Sequence, residues 1–167
     1  MDFKNKILLF KKRLAWQSEN GYFEMKFKPI DGYSSSIIDD PQYNEFIRQI
    51  GPIEVSVSGY AVLGVTLPAS YKTHYGWNRD TDDLIGEENF DFLDPSGVKI
   101  KDVQLTVYDS SLNCWGYDVR SNPPKLVGEN MVDVFELKDF IHLIEDIIKS
   151  HEVYCQIVVP DAFNLSR

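Results

Sequence analysis

The chain has 167 residues, a formal net charge of −9, and is 43% hydrophobic and 13% aromatic. That length suits one domain with a sizeable core, and the apolar content excludes disorder. The surplus negative charge repels phosphate backbones, so it argues against nucleic acid and for a basic protein partner.

The N-terminal region is basic, with Lys4, Lys6, Lys11, Lys12 and Arg13. Its apolar run, residues 7–10, falls short of the roughly 7–15 residues of a signal-peptide core. No stretch reaches the roughly 18 apolar residues of a membrane span. The expected location is the cytoplasm, and no membrane contact is expected. Phe3, Ile7, Phe10 and Leu14 recur at helical spacing and predict a helix over about 3–16, its lysines facing water. A basic helix lying on a membrane is the alternative. The packed helix is preferred because the rest of the chain repels anionic lipid.

Residues 22–27 alternate and predict a strand with Phe23, Met25 and Phe27 on its buried face. Asp40 is placed to cap the next helix, with Pro41 at the first helical position, where its missing N–H costs nothing. Tyr43, Phe46, Ile47 and Ile50 form the apolar stripe. Gly51 suits the left-handed C-terminal conformation, and Pro52 stops continuation.

Residues 53–57 and 61–67 read as two strands around a Ser58-Gly59 turn. Residues 69–94 are the least periodic part. Residues 103–108 alternate again, 109–113 turn, and 114–119 return as a strand ended by Asn122, Pro123 and Pro124. Residues 137–149 predict a helix with Leu137, Phe140, Ile141, Ile144, Ile147 and Ile148 on one face. Residues 153–159 alternate and predict a last strand, with Val153, Cys155, Ile157 and Val159 on one side. The interleaving, with its tight hairpin-like turns, predicts a single α+β domain over 1–167 rather than a doubly wound sheet.

Cys114 and Cys155 form no C-x-x-C pair, so two reduced thiols are expected rather than a zinc or redox site. His74, His142 and His151 make no H-E-x-x-H pair, and no P-loop, dinucleotide turn or nucleophile elbow is present. The expectation is a chain that is not an enzyme, with no catalytic residues, metal or cofactor.

The strongest charge feature holds Asp80, Asp82, Asp83, Glu87, Glu88, Asp91 and Asp94, with no Lys or Arg between the first and the last. Asn78, Asp80 and Asp82 fit the first three ligand positions of a calcium loop. Asp83 then stands where the sharp turn needs Gly, and Asn89 where the bidentate Glu belongs, so that reading fails. A solvated acidic loop is the bland reading. The sharper one is a docking surface, in which Tyr75 and Trp77, with Tyr71, Phe90 and Phe92 nearby, anchor a basic partner among the carboxylates. A hydrolase with carboxylates scattered through this run, and His74, is a further alternative.

The segment Val103, Leu105, Val107, Tyr108 and Asp109, a turn, then Cys114, Trp115, Gly116, Tyr117 and Asp118 resembles the central hairpin of the SUKH superfamily. Phe135 to Ile144 resembles that family's Phe-rich helix, and Pro41, Tyr43, Phe46, Ile47 and Gly51 its upstream helix. Here Tyr43 follows Pro41 by two positions where the family has three, and Ile50 replaces its usual Asn. The resemblance implies a small α+β domain with a mixed, mostly antiparallel sheet backed by helices, and no catalytic residues. It implies hairpin packing for Tyr108, Trp115, Gly116 and Tyr117, and helix core for Phe140 and Ile141. Many bacterial members are immunity proteins that bind and neutralise a cognate toxin domain, often a nuclease. A eukaryotic branch serves as a scaffold and regulator of cell-wall synthesis. A cytoplasmic immunity protein acting through the acidic run is therefore the expected function, and a scaffold or regulatory domain the alternative.

Overall fold

A computed structural model describes residues 2–34, 38–67, 103–111, 113–128 and 139–163. The first helix, α1, spans Phe3–Glu19 and starts at Asp2, whose carboxylate accepts the Asn5 N–H at 2.9 Å. Ile7, Phe10 and Leu14 are fully buried, so the apolar stripe is occupied by the core and is not free to lie on lipid. The helix runs one turn beyond the predicted end. Its buried stripe continues through the polar Arg13 and Gln17, which hydropathy alone passes over.

The strand β1 (Glu24–Phe27) is shorter than predicted and pairs antiparallel with β2 (Ile53–Val57). Phe23 is buried and Met25 half-buried, but Phe27 is 43% exposed, contrary to the expected buried face. Among the described strands β1 lies at the sheet edge with a neighbour on one side only, which accounts for this.

Helix α2 (Pro41–Gln49) follows its sequence punctuation. Asp40 accepts the Gln42 N–H, Pro41 opens the first turn, and Tyr43, Phe46, Ile47 and Ile50 are all buried. Gly51 has φ +87°, and a Cβ there would stand 1.7 Å from the Lys28 carbonyl oxygen. Glycine is therefore required twice over, by backbone conformation and by close approach.

Strands β2 and β3 (Tyr60–Val65) form the expected hairpin. Ser58 and Gly59 both have positive φ, as a primed two-residue turn needs to match strand twist. Strands β4 (Val103–Asp109) and β5 (Cys114–Asp118) form the second hairpin. Asp109 Oδ1 accepts the backbone N–H groups of Ser111 and Asn113, which closes its turn. A sixth strand, β6 (Lys125–Gly128), follows the two prolines and was not expected; at four residues it is too short to show a period. The strand order is β1-β2-β3-β4-β5-β6, and every described pairing is antiparallel. The sheet is thus a meander, with no parallel pair among the described residues.

Helix α3 spans Phe140–Tyr154 and is capped by Asp139. It corrects the reading of residues 153–159 as a strand. Val153 and Tyr154 belong to the last helical turn, and Val153 and Val158 are more than three-quarters exposed. The helix ends when Gln156 takes φ +56°, with Ile157 N–H bonded to the Glu152 carbonyl and Gln156 N–H to that of Val153. That paired closure usually employs glycine, so its signal was missing from the sequence.

The helices and the sheet share one core. Phe140 packs edge-on against Tyr43 and Phe46 at centroid distances of 5.4 and 5.3 Å, and Phe46 reaches Phe10 at 6.3 Å. Such ring pairs contribute about 0.5–1.5 kcal/mol each beyond area burial. On β3, Gly64 leaves room for the Tyr108 ring of β4, which lies 1.9 Å from where a Cβ would stand. The Tyr108 hydroxyl donates across it to Glu54 of β2 at 3.4 Å. Burial, then the neighbouring Glu54 charge, pushes that phenol's pKa far up. The Phe163 end of the chain is tied down by Arg13, whose guanidinium pairs with Glu152 and donates to the Phe163 carbonyl. Among the described residues, no helix is long and apolar enough to cross a membrane.

Candidate docking groove and the closed end of the sheet

Two places gather chemically capable side chains, and they lie at opposite ends of the strands. The first is where α2 and α3 begin. Asp40 accepts the Tyr117 hydroxyl at 2.5 Å and the Gln42 N–H at 3.0 Å. The Gln42 amide donates to Asp139 at 3.1 Å and accepts the Ile141 N–H at 3.2 Å. Asp139 also takes the backbone N–H and the ring nitrogen of His142. Tyr43 donates to the Thr66 carbonyl at 2.6 Å.

The two carboxylates are pushed apart in acidity. Burial raises Asp40 above the usual carboxylate range, outweighing the Tyr117 hydroxyl and the backbone N–H groups of Gln42 and Tyr43; the Asp139 charge adds to the rise. Burial also acts to raise Asp139, but hydrogen bonds from the His142 backbone, its ring and Gln42 hold it below that range. Paired acids of split acidity are one signature of acid–base sites. Here each carboxylate is occupied by protein donors that start its own helix and tie it to the neighbour. The Tyr117 phenol, fully buried and facing Asp40, stays protonated. The cluster locks two helix starts to β5.

The second place is a groove of about 650 Å³ between the C-terminal half of α3 and the far ends of β3, β4 and β5. Its floor is apolar, from Val62, Leu143 and Ile147. The sheet side presents Tyr60, Asp109 and Trp115; the helix side presents Asp146, His151 and Tyr154. Tyr60 is 51% and Tyr154 84% exposed. Asp146 is exposed and makes no ion pair among the described residues. Among the described residues, no lysine or arginine lines the groove. Burial lowers the His151 pKa, against the pull of the Glu152 charge, so the ring is neutral at pH 7 and adds no positive charge. The last turn of α3 adds the negative end of the helix dipole.

Cys155 is exposed, with Sγ 3.7 Å from His151 Nε2, and Cys114 is buried; neither forms a disulfide. No group of three metal-ligating side chains occurs among the described residues.

The sequence-predicted docking residues Tyr75, Trp77, Asp80, Asp82, Asp83, Glu87, Glu88, Asp91 and Asp94 all lie outside the described residues, as does His74. The groove residues were not singled out as a site by sequence reasoning. Tyr60 flanks a turn, Asp146 is on the solvent side of a helical pattern, and Tyr154 fell in the mistaken strand. The one available signal was the pairing of rings with acids, the same signal that drew attention to the run at 80–94. Trp115, Tyr108 and Tyr117 all pack around the central hairpin: Trp115 walls the groove, Tyr108 covers Gly64 and Tyr117 enters the closed end.

The chain matches no protein-family model, no curated protein and no solved structure.

Proposed function

We propose that this chain is a protein-binding module that covers a basic partner, and that the partner is a cognate toxin domain neutralised in the cytoplasm. The observation that carries the reading is the groove between α3 and the strand ends: rings and carboxylates line it, with no lysine or arginine among its described residues. Exposed rings amid negative charge suit a positively charged protein surface, with the rings supplying contact area and the acids steering encounter. The net charge of −9 extends the same preference over the whole molecule. A nuclease is one fitting target, because a site that holds phosphate is itself basic. The resemblance of the 103–118 hairpin and the flanking helices to the SUKH superfamily supports immunity as the purpose of the binding. The reading assigns the chain no catalysis, cofactor, nucleic acid or membrane contact.

The test is co-expression with the toxin domain encoded beside its gene. Survival of the host and a stable complex on size-exclusion chromatography are expected. Reversal of Asp82, Asp83 and Glu87 to lysine should weaken the complex at least about tenfold, near 1.4 kcal/mol, if the acidic run contributes as its sequence suggests. Failure of the unaltered chain both to rescue the host and to form the complex would sink the proposal.

A further inference from the structure

We propose that the groove between α3 and the ends of β3, β4 and β5 receives an arginine side chain, projected from a basic protein partner between Tyr60, Trp115 and Tyr154. The proposal rests on the binding-module reading and specifies which side chain the site takes.

Independent features of the groove favour a cation, and this cation in particular. Asp109 and Asp146 bring negative charge from opposite walls. Asp109 is fixed in place, since its carboxylate holds the turn through the N–H groups of Ser111 and Asn113 and the Asn113 amide. Its position is therefore set before any partner arrives, which lowers the ordering cost of binding. The last turn of α3 contributes its negative end, and His151 is uncharged there at neutral pH. The rings of Tyr60, Trp115 and Tyr154 offer faces on which a flat guanidinium can stack. A guanidinium also reaches a carboxylate with two parallel N–H groups, whereas an ammonium is a strongly hydrated point charge that stacks less well. The apolar floor of Val62, Leu143 and Ile147 suits the aliphatic stem of the same side chain.

A blocked Arg-Leu-Arg peptide and its Lys-Leu-Lys twin provide the probes, titrated into the full chain and followed by amide NMR shifts. The arginine peptide should move the amides of Asp109, Asn113, Asp146, Ser150 and Tyr154, and bind at least about fivefold tighter than the lysine twin. Asp146→Lys and Tyr154→Ala alter exposed side chains, so the fold should persist, and each should weaken the peptide at least about fivefold. Tyr60→Ala is the matching change on the opposite wall. Shifts that map elsewhere, equal affinity for the two peptides, or wild-type affinity in all three variants would each overturn the inference. The co-expression assay separates this from the broader reading. If the unaltered chain rescues the host while the peptide shifts map elsewhere, the arginine site is wrong and the binding module stands. If the peptide maps to the groove but no toxin is neutralised, the site stands and the toxin reading falls.

Discussion

The two ends of the sheet use the same side-chain types for different purposes. At the closed end, Asp40, Asp139, Gln42 and Tyr117 satisfy one another and the starts of two helices. At the open end, Asp109, Asp146, Tyr60 and Tyr154 line a groove and leave rings exposed. A carboxylate whose lone pairs go to backbone donors and a buried phenol is part of the architecture. A carboxylate on an exposed wall beside bare rings keeps its charge available to a partner. What separates the closed-end pair from Asp146 is where their hydrogen bonds go, not their identity or their number, while Asp109 gives its lone pairs to its own turn and offers the groove its charge alone.

The largest effect that should break this contrast comes from Arg13. Its guanidinium and Gln17 meet Glu152 on the buried side of the same α3 turn that presents His151 and Tyr154 to the groove. Arg13→Ala leaves Glu152 buried without its cation and should cost about 3–5 kcal/mol, read by urea unfolding. Because α3 forms one wall of the groove, the same change should also weaken any groove ligand. A loss below about 1 kcal/mol would mean the pair is not the staple that its burial implies.

Next in size is a comparison of tyrosines. Tyr117→Phe removes the hydroxyl that Asp40 accepts at the closed end and should cost about 1–3 kcal/mol. Tyr60→Ala at the open end should change stability by no more than about 0.5 kcal/mol. Equal costs in thermal unfolding would erase the distinction between the two ends.

The smallest effect is one of sign, and it sharpens the picture within the closed end. Asp139 has a folded pKa below its unfolded value, so it contributes stability at neutral pH that is lost as pH falls through the folded pKa. Asp40 has a folded pKa above its unfolded value, so its contribution is greatest in acid and is lost as pH rises through the folded pKa. Asn is as good a cap as Asp, so Asp40→Asn should keep α2. Over a pH series rising from about 3 to 7, the stability of Asp40→Asn relative to the parent chain should increase, and that of Asp139→Asn should decrease. Parallel pH profiles for the two variants would contradict the split.

Where the chain punctuates itself, the elements were legible. Asp40, Pro41, Gly51 and Pro52 bracket α2, and Ser58-Gly59 marks a hairpin, because capping, ring closure and positive φ are local requirements that particular residues meet. The α+β class followed from the same signals. Two elements were misjudged, one for a local reason and one for a distant one. Residues 153–159 alternate like a strand, yet the helix in front continues through Tyr154 and closes with Gln156 in a glycine conformation. The last turn of α1 is buried through Arg13 and Gln17, whose partner Glu152 is 135 or more residues away.

The sequence by itself determined the acidic balance, the caps and turns, and the apolar stripes that bury against one another. Periodicity and local hydrogen bonding encode those features over a few residues. Only the tertiary structure decided which acids are structural and which are available, because that depends on partners brought together from distant segments. Tyr117 meets Asp40 across 77 positions, and Tyr60 shares a groove with Tyr154 only because α3 packs against the ends of the strands.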